Sequence, residues 1–186
     1  MEGIVVMIRE EKNISLSNVT AKIGVWSALA VVARLGKHLL VGPLQFINIP
    51  LLFTMLSGIM YGAEVGLGVG FLSFLVSDSF LGLGIWTIVD GSIAGFIGAL
   101  WSRVPLRGRT SLFIFAYLST LVYDIMTSWI LYMIFGFGPL EALVVGILGL
   151  FIPVAGGGAI AIGPTTEVAT ALLLSILATK LVRKNT

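Results

Sequence analysis

The sequence predicts an all-α polytopic membrane protein: a bundle of six transmembrane helices, with a short non-crossing segment between the fifth and the sixth. Three observations lead there. First, 58% of the 186 residues are hydrophobic and only 11% are charged, where a soluble domain carries about 25% charged residues. Mean hydropathy is +1.08. Second, apolar runs recur along the chain at lengths near the roughly 20 residues that a bilayer-spanning helix needs. Third, the positive residues gather into a few clusters between and beyond those runs. Such a chain could not cover its own apolar surface in water, which excludes a soluble enzyme and a nucleic-acid binder. The absence of cysteine excludes a disulfide-stapled module and a thiolate metal site. A net charge of +2 says little about acidic partners, and no cofactor or metal is implied.

Residues 1–19 hold Glu2, Arg9, Glu10, Glu11 and Lys12 without a long apolar run or a small-residue cleavage site. They read as a short cytoplasmic tail and not as a signal peptide, leaving 20–186 as one membrane-embedded domain. The first apolar run is Ala21 to Val41, broken by Gly42-Pro43. The second covers Leu44 to Gly62, and Ala63-Glu64 turns the chain into the third, Val65 to Leu81. After Gly82-Leu83-Gly84 comes the fourth, Trp86 to Trp101. A loop with Arg103, Arg107 and Arg109 leads to the fifth, Ser111 to Phe135. Leu140 to Val154 follows, then the glycine-rich Ala155 to Gly163, and Thr165 to Val182 is the last helix.

Leu140 to Val154 decides the count. As a helix it would reach only about 22 Å, short of a hydrocarbon core of about 30 Å. Charge supplies an independent test. Nine of the eleven Lys and Arg residues lie in the tail (Arg9, Lys12, Lys22), after the fourth helix (Arg103, Arg107, Arg109) and at the C-terminus (Lys180, Arg183, Lys184). Six crossings put all three clusters on one side, as the positive-inside rule prefers; seven would not. The expectation is a cell-membrane protein with both termini cytoplasmic, and with 140–154 short or re-entrant.

The glycines follow helix-contact spacing: Gly62, Gly66 and Gly70 in the third helix, Gly91, Gly95 and Ala99 with Ala94 and Gly98 in the fourth, and Gly24 with Ala28 in the first. Small residues at this spacing let helix backbones approach closely. They serve packing within the chain or a docking face for another membrane protein.

Six crossings also assign a depth to every polar side chain. Arg34, Lys37 and His38 fall in the outer half of the first helix, on one face by their i, i+3, i+4 spacing. Asn48, Asp78, Asp90 and Glu167 share that outer level, and Asp124 lies mid-way along the fifth helix. Charges at membrane depth are costly and by default are paired or line a cavity. Two readings stay open: interfacial side chains with structural ion pairs, or a polar pocket opening outward. The string Ser77 to Thr87, SDSFLGLGIWT, offers hydroxyls, a carboxylate and aromatic rings at one membrane face, the materials of a small-molecule site. Candidate ligand contacts are Asp78, Trp86, Thr87, Asp90 and Glu167, then Arg34 and Asn48. The acids would accept hydrogen bonds from amine or amide donors, Trp86 would stack on a ring, and Arg34 would instead neutralise a ligand carboxylate or pair with Asp78.

Enzyme motifs are missing. AGGGAIAIGPTT (155–166) lacks the Lys-[Ser/Thr] of a nucleotide loop, and neither G-x-S-x-G nor H-E-x-x-H occurs. The chain is expected not to be an enzyme and not to hydrolyse ATP itself.

From about Gly24 to Val182, and most specifically from Pro50 to Trp101, PLLFTMLSGIMYGAEVGLGVGFLSFLVSDSFLGLGIWTIVDGSIAGFIGALW, the chain resembles the substrate-binding membrane subunit (S component) of energy-coupling factor (ECF) transporters. The shared pattern is an apolar second helix, a Tyr-Gly turn, a glycine-spaced third helix, Ser77-Asp78 with F-x-G-x-G-x-W-T, and a glycine-rich fourth helix. It is most similar to the branch associated with cobalamin and related vitamin carriers. The resemblance implies a six-helix bundle that captures a vitamin-like small molecule near the outer face. It also implies partners: a transmembrane coupling subunit and two ATPases, in the lipid bilayer. Two other functions remain compatible with the residues themselves, namely a structural scaffold without a small ligand and a solitary carrier driven by an ion gradient, for which Asp124 would be the protonation site.

Overall fold

The computed structural model describes residues 2–42, 46–104, 108–154 and 158–183. Among them the chain forms seven helices and one small hairpin: α1 (Glu2–Val41), α2 (Ile49–Tyr61), α3 (Ala63–Leu81), α4 (Ile85–Trp101), α5 (Arg109–Ile134), α6 (Pro139–Leu148), β1 (Ile152–Val154), β2 (Gly158–Ile160) and α7 (Ile162–Arg183). Four helical stretches are long and apolar enough to cross a membrane: Leu16–Val41 of α1, α3, α5, and Ile162–Leu181 of α7. Their outward faces carry large apolar side chains that a soluble protein would bury, Leu39 and Leu40 being 85% and 87% exposed. In lipid such a surface is solvated by acyl chains, and helices satisfy their own backbone hydrogen bonds. The chain is an all-helical membrane protein apart from the hairpin.

Several boundaries differ from those the sequence suggests. The tail and the first span are one helix, since α1 runs unbroken from Glu2 to Val41. The second helix starts at Ile49 and not at Leu44, which lies outside the described residues. Asn48 caps it: its side-chain oxygen accepts from the Leu51 N–H at 3.2 Å, and Pro50 occupies the first turn. The 13-residue α2 and 17-residue α4 reach about 20 and 26 Å, so the six-crossing count is not carried by helix length alone. Residues 140–154 do not form one element. The ten-residue α6 ends at Leu148, and Ile152–Val154 pairs antiparallel with Gly158–Ile160, Ile152 opposite Ile160. Gly149 and Pro153, both poor helix residues, sit where the change occurs. The last helix begins at Ile162, so Thr165 lies inside it and bonds back to the Ala161 carbonyl at 2.7 Å.

The α3–α4 hairpin is the tightest part of the bundle. A Cβ added at Gly66 would lie 2.5 Å from the Gly98 carbonyl oxygen, and one at Gly70 would lie 2.4 Å from the Gly95 nitrogen. Here the small-residue spacing serves packing within the chain. Gly24 is different, because a Cβ there meets nothing within 4 Å. α1 packs on α2 and α3, α5 on α4, α6 and α7, and α2 on α7. The core between them combines Leu51, Met55, Phe74, Trp101, Ala116 and Leu174. Many buried hydroxyls on these helices bond to carbonyls a turn back, as Thr54 does to Pro50 at 2.7 Å and Thr120 to Ala116 at 2.9 Å, which satisfies their donors within the helix; among the described residues the buried Ser27 hydroxyl on α1 makes no such bond.

The packing also fixes which helix ends lie together. Lys22 sits over the Tyr61 ring, 5.0 Å from its centroid, joining the early part of the α1 span to the α2–α3 turn. Arg34, three turns later, reaches the far end of α3. The polar residues of interest therefore occupy the opposite half of the bundle, around the α3–α4 turn.

Candidate functional site

The α3–α4 turn is built by Gly82, whose φ of +130° takes the chain through a conformation that favours glycine. It brings the last turn of α3 against the first turn of α4. Asp78, only 2% exposed, is held there from two sides. Arg34 Nη1 from α1 lies 2.7 Å from Asp78 Oδ1, and the Thr87 hydroxyl donates to Oδ2 at 2.8 Å. Arg34 Nη1 also donates to the Ser77 hydroxyl, which in turn donates to the Ser73 carbonyl at 2.6 Å. The Thr87 oxygen accepts the Gly84 N–H at 3.3 Å. The guanidinium carbon stands 5.0 Å from the centroid of the Phe74 ring, and that ring stacks on Tyr123 at 5.9 Å. Both oxygens of the Asp78 carboxylate therefore have partners, and a satisfied polar cluster is rigid where a partly satisfied one is costly.

In front of this corner is a hollow of about 230 Å³ lined by Arg34, Lys37, His38, Asp78, Gly82 and Trp86, among others. Trp86 forms one wall. Its indole N–H donates to the Gly82 carbonyl at 3.3 Å and its ring lies against Gly84, where an added Cβ would be 2.3 Å from the indole. The site thus combines a fixed ion pair at the back, a half-exposed aromatic wall and basic side chains from one face of α1.

A second polar region lies between α5 and α7. A hollow of about 200 Å³ there is lined by Asp124, Thr127, Ser128, Leu150, Gly163 and Thr166, among others. Glu167 neighbours it in sequence and is fully buried. Neither of its carboxylate oxygens completes a hydrogen bond of normal geometry, and the Tyr117 hydroxyl is the side-chain donor that faces it. Asp124 is within electrostatic range of both Glu167 and Asp90.

The residues singled out from the sequence divide accordingly. Arg34, Asp78 and Trp86 meet at the first hollow, and Thr87 stands directly behind it. Asp90, one turn further along α4, lies within electrostatic range of Asp78 and Arg34 but is not on the wall. Asn48 is committed to structure: besides capping α2, its N–H donates to the Thr170 hydroxyl on α7 at 2.9 Å. Glu167 belongs to the α5–α7 region. Lys37 and His38 were visible as a basic face with Arg34, yet nothing in their spacing showed that a hollow lay before them. Among the described residues no three His, Asp or Glu side chains are grouped so as to hold a metal ion.

Comparisons of the chain with protein-family models, with curated proteins and with solved structures find no match.

Proposed function

We propose that this chain is the substrate-capture subunit of an ATP-driven micronutrient uptake transporter, binding a vitamin-like molecule in the hollow before the Arg34–Asp78 pair. The observation that carries this reading is an aromatic-walled hollow backed by the Arg34–Asp78 ion pair, whose buried carboxylate has a partner on each oxygen. A side chain needed only for packing would not require such a corner to stay open. The resemblance of 50–101 to S components supplies the transport context: a coupling subunit and two ATPases as partners. In this reading α1 to α5 and α7 cross the cell membrane, α6 does not, both termini are cytoplasmic, and the hollow faces outward. The tight α3–α4 glycine contacts hold the two wall-bearing helix ends in a fixed relation.

The test is mass spectrometry of small molecules that co-purify with the detergent-solubilised protein, repeated with Trp86→Ala. One defined compound retained by the wild type and lost from the variant is the expected result. If the wild type carries none and binds no member of a vitamin panel in the micromolar range, the proposal fails.

A second reading rests on the buried, base-free Glu167 beside Asp124: a solitary carrier driven by an ion gradient. Membrane vesicles without any ATPase distinguish the two. Gradient-dependent uptake there favours the solitary carrier, and its absence favours the ATP-driven one.

A further inference from the structure

Asp78 has the Arg34 guanidinium against it, whereas among the described residues the charges that act on Asp124 are those of Glu167 and Asp90, both acids. Charge at membrane depth is costly without a partner. We infer that the hollow between α5 and α7 is a site for a monovalent cation, the ammonium group of a small solute or an alkali ion, held by Asp124 with Glu167 behind it. This goes beyond the capture reading and needs neither that reading nor the gradient-driven one.

The hollow holds about 200 Å³, and its wall is made of groups that accept. Asp124 is the one acid on it. Thr127 and Ser128 follow at i+3 and i+4, on the same face of α5, and line the same space. The Thr127 hydroxyl donates its proton to the Tyr123 carbonyl at 2.9 Å, so its oxygen has only lone pairs left to offer. An ammonium carries three donors and no acceptor and matches such a wall with charge-assisted bonds. A carboxylate would meet the Asp124 charge directly. Leu150 and Ile162 supply apolar walls for the body of a solute. Among the described residues no three His, Asp or Glu side chains are grouped so as to hold a metal ion, which favours a singly charged guest over a divalent one.

A second observation is independent of the wall. Glu167 is fully buried, and among the described residues neither of its carboxylate oxygens has a hydrogen bond of normal geometry. It follows the wall residue Thr166 on α7 and stands within electrostatic range of Asp124. The Tyr117 hydroxyl that faces it brings a donor but no positive charge. Two acids in range of each other disfavour one another's charged form. A cation against Asp124 removes that repulsion and is attracted by both. Arg34 does not supply this charge, because its Nη1 is engaged by Asp78 and Ser77.

The probes are n-butylamine, 1-butanol and butyrate at pH 7, three compounds of nearly one shape that differ in charge. Isothermal titration calorimetry measures their binding to the full chain in phosphatidylcholine nanodiscs, with the signal of empty nanodiscs subtracted. Butylammonium is expected to bind at least about tenfold more tightly than butanol, with butyrate weakest. Asp124→Asn should bring butylammonium down to the level of butanol, and Glu167→Gln should weaken it to a smaller extent. If Asp124→Asn does not fold, Ser128→Ala takes its place, with an expected loss of about threefold. Equal binding of butylammonium and butanol, a preference for butyrate, no binding of any probe, or butylammonium binding that Asp124→Asn leaves unchanged overturns the cation site. A second arm repeats the butylammonium titration in LiCl, NaCl and KCl at one ionic strength, so that screening is constant. Competition by one of these ions supports the site and assigns it to an alkali ion, while equal affinity in all three supports it as a site for a solute ammonium. The hollow before the Arg34–Asp78 pair is decided separately, by the test on co-purified compounds.

Discussion

Asp78 and Glu167 are equally hidden from solvent and differ in every other respect. Asp78 has a guanidinium on one oxygen and a hydroxyl on the other. Among the described residues Glu167 has no hydrogen bond of normal geometry on either oxygen, and the Tyr117 hydroxyl faces it. Burying a carboxylate without a base is costly, and burying one with a base is close to neutral only when the geometry is complete. The comparison teaches that burial does not define the role of an intramembrane acid. Asp78 is a fixed part of the architecture that gives its hollow a shape and a floor. Glu167 is the acid whose environment leaves its interactions open.

The largest effect is expected from breaking the Asp78 corner. Arg34→Met leaves an uncompensated buried carboxylate, a change that costs about 3–5 kcal/mol. Unfolding of the detergent-solubilised protein by added sodium dodecyl sulfate measures it. Arg34→Met combined with Asp78→Leu removes both charges, and most of the loss should return, because an apolar pair of similar volume is often neutral against an ion pair. If the double variant is as unstable as the single one, the pair is not what holds this corner. Next in size is Thr87→Val, which keeps the shape and deletes the donor to Asp78 Oδ2. A hydrogen bond to a charged group contributes about 1.5–3 kcal/mol. The loss should be smaller in the Arg34→Met, Asp78→Leu background, where the acceptor no longer exists; equal losses in both backgrounds would separate Thr87 from Asp78.

The sequence made some of this legible. Composition and run lengths identify a helical membrane protein, because the lipid environment leaves few alternatives. The glycines at 66, 70, 95 and 98 report a real backbone approach, since any side chain there would overlap the opposite helix. The Gly24 and Ala28 pair has the same spacing, yet among the described residues nothing stands within 4 Å of a Cβ at Gly24, so spacing alone does not say which small residues are contacts. The break within 140–154 had a local cause in Gly149 and Pro153, but apolar composition masked it. For the site, hydropathy gives depth: Arg34, Asn48, Asp78, Asp90 and Glu167 do lie in one half of the bundle. It does not give direction around the bundle axis, which depends on the order in which helices pack. That is why Arg34 and Asp78, 44 positions apart, form one corner while Glu167 at similar depth belongs to another. It is also why the acids read as ligand acceptors in the sequence, when the one on the wall is already engaged.

Glu167→Gln should produce the smallest effect, and it bears most directly on the contrast between the two acids. The substitution keeps size and hydrogen-bonding capacity and removes the possibility of a negative charge. Gln can still accept from Tyr117 and can also donate, so the buried site loses no interaction it now makes. Stability should change by less than about 1 kcal/mol, the net worth of an ordinary hydrogen bond, and the expected sign is a gain. Asp78→Asn, made as the control, has the opposite expectation, because it strips the counter-charge from Arg34. The same unfolding titration reads both. A loss above about 2 kcal/mol for Glu167→Gln would mean that a charged partner holds this carboxylate in the membrane. In that case the two acids would be alike after all, and Glu167 would be a second structural ion-pair site and not an open one.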